Sequence, residues 1–110
     1  MSQNQVYRKL VRDRIPEIIA GRGECPQTRV LSDDDFKAAL VRKLDEEVAE
    51  FKTDRNLEEL ADILEVVDAL AGTLNGTFAD VLKIKRAKRS QRGGFEKKLF
   101  LEQVAARQRG

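Results

Sequence analysis

The sequence predicts a mainly α protein: an antiparallel helical bundle of three to four helices with short irregular or β ends. Three observations predict it. With five Phe, one Tyr and no Trp in 110 residues, a core must be built from Leu, Val, Ile and Ala, which suits helices. Three stretches repeat apolar residues at helical spacing, each opened by a capping residue. The connections between those stretches are only two to four residues long, so neighbouring helices run antiparallel.

The first element is the least regular. Residues 6–16 cannot be one helix through Pro16, because the residue before a proline avoids the helical region. Pro16 suits the first position of a short helix that ends at Gly21. Ser32 followed by Asp35 has capping-box form, with a carboxylate set against the helix dipole. A helix without Gly or Pro then runs to Phe51, with Leu40, Val41, Leu44, Val48 and Phe51 as its apolar stripe. Residues 53–56 read as a turn, and Asn56 caps the next helix with Glu59 at its third position. Leu60, Ile63, Leu64, Val67, Leu70, Ala71 and Leu74 form the inward stripe of that helix, which Asn75-Gly76 ends. Thr77 with Asp80 starts a further helix that stops at Gly93-Gly94. Residues 28–31 and 95–104 read as short strands, which could pair.

At 12.5 kDa, residues 1–110 are expected to form a single domain. No apolar run approaches the roughly 20 residues of a membrane span, and the N-terminus lacks the apolar region of a signal peptide. With a single cysteine, Cys25, no disulfide framework is possible within the chain. The expectation is a soluble, cytoplasmic protein that does not engage membranes.

Composition also narrows the chemistry. The absence of His removes Ser–His and Cys–His nucleophilic pairs and any imidazole base. One Cys without His cannot assemble the usual nitrogen and sulfur ligands of a zinc site. The net charge of +2 hides a segregation. Residues 1–32 carry +3, residues 33–68 carry −8, residues 69–79 carry none and residues 80–110 carry +7. An acidic centre flanked by basic ends suits a ligand that carries phosphates on a divalent metal.

The acidic centre has a pattern. At about 100° per residue, Glu47 and Glu50 lie along one edge of the apolar stripe centred on Leu44, whereas Glu46 points away from it. Glu59 and Asp62 lie along one edge of the Ile63/Val67/Leu70 stripe, with Val66 between them; Glu65 and Asp68 fall further round. If the helices pack antiparallel, the two pairs meet at their groove. Four carboxylates that close cannot all stay ionised without compensation. A hard divalent cation provides it, and Mg²⁺ or Mn²⁺ takes oxygen ligands. The plainer reading of either pair alone is an exposed helix face.

Glu46-Glu47-Val48-Ala49-Glu50, followed by Glu59-Leu60-Ala61-Asp62, resembles the EExxE…ExxD signature of the all-α nucleoside triphosphate pyrophosphohydrolases, the MazG-like superfamily. Phosphoribosyl-ATP pyrophosphohydrolase belongs to the same group. Lys9-Leu10-Val11-Arg12-Asp13-Arg14-Ile15-Pro16-Glu17-Ile18-Ile19 and Arg92-Gly93-Gly94-Phe95-Glu96-Lys97 resemble the flanks of a small, single-domain, house-cleaning branch. The resemblance spans about residues 7–102. It implies Mg²⁺ ligation by Glu47, Glu50, Glu59 and Asp62, with Mn²⁺ as a substitute. The implied reaction splits a nucleoside triphosphate between its α and β phosphates, giving monophosphate and pyrophosphate and clearing noncanonical nucleotides. A carboxylate not saturated by metal takes the proton of the attacking water, with Glu47 and Glu50 as candidates. Phosphoribosyl-ATP is the alternative substrate.

The phosphates then require cations. Lys85, Lys88 and Arg92, at spacings of three and four, share a face of the last helix. Arg12 and Arg14 are the other candidates, since Arg makes bidentate phosphate contacts. Gly93-Gly94 reads as a helix stop or a backbone approach to an anion, and no Walker-type loop is present. Sites in this superfamily are often shared between chains, so a homodimer or higher homo-oligomer is expected. Val66, Ala69 and Phe78 read as the apolar surface left over for a partner. Two rival functions remain: a nucleic-acid binder using the basic block, disfavoured by the −8 block and the few aromatics, and a non-catalytic helical interaction module.

Overall fold

The computed structural model describes residues 4–107. The chain is mainly α, with four helices among the described residues: α1 (Ile15–Gly21), α2 (Asp33–Thr53), α3 (Leu57–Thr73) and α4 (Phe78–Arg92). The described residues fall into two compact units that divide between Phe78 and Ala79. No helix among them is long and apolar enough to cross a membrane.

In the first unit, α2 and α3 pack against each other as a hairpin joined by residues 54–56. Both helices begin on the capping residues that the sequence indicates. Asp35 N donates to Ser32 Oγ at 3.2 Å, and Glu59 N donates to Asn56 Oδ1 at 2.9 Å. Asp33, Asp34 and Asp35 crowd the first turn of α2, where negative charge complements the dipole. α3 ends in a Schellman motif: Gly76 N donates to Ala71 O, Asn75 N donates to Gly72 O, and Asn75 holds a φ of 57°. α1 is a single short helix with no buried residue, and Pro16 takes its second position rather than its first.

The faces of the hairpin are turned relative to the expected apolar stripes. Among the described residues, those that are buried are Ala39 and Leu40 on α2 and Val66 and Ala71 on α3. Leu44, Val48, Phe51, Ile63, Val67 and Leu70 are half-buried. Val41, Leu60, Leu64 and Leu74, expected inside, are exposed. The turn is clearest on α3, where Val66, between Glu59 and Asp62, is buried. Two of the four buried residues are small alanines, and Lys43, one turn from Glu47, pairs with it. The expectation that Val66, Ala69 and Phe78 form a leftover apolar surface is corrected: Val66 is buried, and Ala69 and Phe78 are half-buried. Among the apolar residues left outside, Leu57, Leu60 and Leu64 share one face of α3 by their spacing of three and four.

The second unit is α4 and the segment after it. α4 stops where the sequence indicates, with Gly93 at a φ of 82° and its N–H donating to Arg89 O at 2.8 Å. No strand occurs among the described residues, which corrects the reading of residues 28–31 and 95–104 as strands. Val30 is 99% exposed and Phe95 is 96% exposed. Each segment lacks a ladder of backbone partners, without which a short apolar stretch does not make a strand.

Candidate metal centre

The caps place the carboxylates. Asn56 fixes the first turn of α3, so Glu59 and, one turn on, Asp62 line the face that packs on α2. Glu47 and Glu50 stand one turn apart near the end of α2, and Asp54 follows one turn later, just past the helix. Carboxylate oxygens of Glu47, Glu59 and Asp62 lie within 4.8 Å of one another, and so do those of Glu50, Asp54 and Glu59. All four carboxylates singled out in the sequence thus reach the groove, as two overlapping triads that share Glu59.

The shared residue bears the electrostatic load. Partial burial pushes the Glu59 carboxyl above its ordinary value, and the charges of Asp62, Glu50, Glu47 and Asp54 raise it further, in that order. Both triads fit a hard cation by donor chemistry, being oxygen-only. Neighbouring oxygens on an octahedral Mg²⁺ stand about 3.0 Å apart at bond lengths of about 2.1 Å, so the oxygens of a triad, which lie within 4.8 Å of one another, would draw closer to hold one.

Two cations reach the first triad. Arg12 Nη2 donates to Asp62 Oδ1 at 2.7 Å across 50 residues of chain. Lys43 Nζ lies 3.4 Å from Glu47 Oε1 and 3.8 Å from Glu46 Oε1. The side chains of Lys43 and Glu47 are only 18% and 14% exposed, so this pair is the most enclosed of the ion pairs among the described residues. Glu46 belongs to neither triad, as its outward direction on the helix implies.

The remaining basic candidates are placed differently. Arg14 donates through Nε to Glu17 Oε1 at 2.8 Å, a local pair on α1, and does not join the carboxylates. Lys85, Lys88 and Arg92 do share a face, and with Val81, Ile84, Arg89 and the Gly93-Gly94-Phe95 turn they line a hollow within the second unit. Arg89 in that hollow is engaged by Glu96. The Glu96 carboxyl lies below its ordinary value because its own backbone N–H donates to it and because Arg89 does.

Sequence reasoning missed Asp54 and Lys43. Asp54 was assigned to a turn, but α2 runs on to Thr53, and positions 47, 50 and 54 continue one edge of the helix. Lys43 stands four residues before Glu47 and three before Glu46, spacings at which opposite charges on a helix meet.

No family model matches the chain, and no solved structure matches it. A protein of Mycolicibacterium smegmatis (strain ATCC 700084 / mc(2)155) is 61% identical over 44 residues, 40% of this chain and 45% of that protein. It is described as an uncharacterized protein, and the match covers less than half of either chain.

Proposed function

We propose that the protein is a Mg²⁺-dependent nucleoside triphosphate pyrophosphohydrolase of the MazG-like kind, cleaving between the α and β phosphates. The observation that carries this reading is the convergence of Glu47, Glu59 and Asp62 oxygens, from two helices and two separate motif halves, on one point of the groove. The matching EExxE…ExxD pattern supports it. Glu47, Glu59 and Asp62 would hold one cation, and Glu50, Asp54 and Glu59 a second. A bound divalent cation supplies charge neutralisation for the phosphoryl oxygens as the pyrophosphate departs.

The rest belongs to the chain's own groups. Glu50 is exposed and free of a close lysine, whereas Glu47 is enclosed beside Lys43. Glu50 would give a second cation only one of its two oxygens, so its other oxygen is the better placed to take the proton of the attacking water, and Glu47 acts as a ligand. Arg12 stands beside the triad and meets a phosphate there. Lys85, Lys88 and Arg92 offer a second basic face for an anion. The exposed Leu57, Leu60 and Leu64 face suits a second copy of the chain, so the working form is a homodimer. The setting is cytoplasmic, in keeping with an unpaired Cys25.

The test is a product assay with Mg²⁺ and a panel of nucleoside triphosphates, with phosphoribosyl-ATP included. Equal amounts of monophosphate and pyrophosphate are expected. Glu50→Gln and Asp62→Asn are each expected to lower kcat at least 100-fold, the scale of a lost general base or charge-stabilising group. Orthophosphate as the first product, or turnover unchanged in both variants, would sink the assignment.

A further inference from the structure

Beside the first triad, with which it shares Glu47, a hollow of about 240 Å³ is lined by Lys9, Val11, Arg12, Ile15, Lys43 and Glu47. It lies wholly within the first unit, between the segment before α1 and the middle of α2. Three of its six lining residues are cations, and Glu47 is the only acid among them. Two of those cations have carboxylate partners that belong to the triad: Arg12 on Asp62 and Lys43 on Glu47. The third, Lys9, sits over the Tyr7 ring at 5.6 Å from its centroid.

We infer that this hollow binds the terminal phosphates of the substrate, or free pyrophosphate, and that Arg12 and Lys43 are handed to the phosphate when a metal takes their carboxylates. The inference rests on the proposed metal centre and adds to it an anion pocket, two further ligands in Lys9 and Lys43, and an order of events. The reasoning is one of competing partners. Asp62 Oδ1 and Glu47 Oε1 each face a protein cation in the absence of metal. A divalent ion is the stronger partner for a carboxylate, and once it binds, the Arg12 guanidinium is left facing the hollow with no anion of its own, and the Lys43 ammonium keeps only the longer pairing to Glu46 at 3.8 Å. A diphosphate supplies that anion, and Arg12 presents a planar fork that phosphate oxygens match. Metal and anion binding are thereby coupled, each favouring the other. Val11 and Ile15 provide the apolar part of its wall.

The experiment uses the full chain and two probes, Mn²⁺ and inorganic pyrophosphate, followed by calorimetry. Chelation of metal by pyrophosphate in solution is common to all variants and cancels between them. Arg12→Gln removes a competitor for Asp62, so Mn²⁺ alone is expected to bind about two- to fivefold tighter, the range of an exposed ion pair. Lys43→Gln should shift in the same direction. With Mn²⁺ present, both variants should bind pyrophosphate at least tenfold more weakly than the wild type, the scale of a lost charged hydrogen bond. Lys43→Arg, which keeps the charge, should retain most of the affinity. Weaker Mn²⁺ binding in Arg12→Gln, or unchanged pyrophosphate affinity in both Gln variants, would overturn the handover while leaving the metal centre standing. Failure of the wild type to bind Mn²⁺ at all would overturn the metal centre and the handover together.

Discussion

Glu59 is the residue on which the site turns, because both carboxylate triads pass through it. Its carboxyl is raised above the ordinary glutamate value of 4.5 by partial burial and then by four neighbouring carboxylates. The consequence for stability follows from linkage. A group with a raised folded-state value binds more protons in the folded chain than in the unfolded one. Its contribution is therefore fully present below the ordinary value and is lost as pH rises through the raised one. The metal-free wild type should thus lose stability relative to Glu59→Gln as pH rises from below 4.5 toward neutrality, since the glutamine never ionises. Melting curves of the two proteins in chelator across that range check it, and a constant difference in midpoint would contradict it. Added Mg²⁺ should stabilise only the wild type, by mass action on the folded state. The same competition with protons makes metal affinity fall as pH drops through the Glu59 window.

At the scale of elements, the two caps and the two helix stops set where the carboxylates stand. Asn56→Ala should cost about 1 kcal/mol in chemical denaturation, the usual worth of an N-cap. It should also weaken metal binding, because the capped turn carries Glu59. Gly93→Ala should cost roughly 1–2 kcal/mol, since the residue holds a φ of 82° that a β-carbon disfavours. Gly94→Ala should cost less. The atoms that a β-carbon would meet at Gly94 are the mobile ends of Arg89 and Glu96. These local signals were legible in the sequence: Ser32, Asn56, Asn75-Gly76 and Gly93 all act as their types suggest. The helix faces were only partly legible. An apolar stripe centred on Leu44 or on Ile63/Val67 fixes a direction to within about a quarter turn. The final rotation depends on which side chains can approach, here Ala39 and Ala71, and on charge offset by Lys43. That is why Val66 is buried while Leu60 and Leu64 remain 41% and 49% exposed. Residues 28–31 and 95–104 misled for a related reason. Their Thr, Val and Phe residues suit a strand, but a strand also needs a partner, which a single segment does not encode.

For the molecule as a whole, the acidic block and the C-terminal basic block fall in different units, while the smaller N-terminal basic block shares the first unit with the acidic one. The carboxylate triads belong to the hairpin of the first, and the Lys85, Lys88 and Arg92 face belongs to α4. Whole-chain charge, at +2, conceals this entirely. The exposed Leu57, Leu60 and Leu64 face carries the expectation of a homodimer: sedimentation should give twice the chain mass of 12.5 kDa, and Leu60→Glu with Leu64→Glu should give the monomer. A wild type that sediments as a monomer would contradict it. The pairing of carboxylates was visible from spacing alone, whereas their grouping into two triads, and the roles of Asp54 and Lys43, needed the geometry of the groove. The most direct test is a Mn²⁺ titration, by calorimetry, of the wild type, Glu59→Gln and Asp54→Asn. Two triads that share Glu59 predict that the wild type binds Mn²⁺, that Glu59→Gln loses at least tenfold in affinity at every site, and that Asp54→Asn weakens one site alone. A Glu59→Gln isotherm that overlays the wild-type curve would contradict a metal centre in this groove.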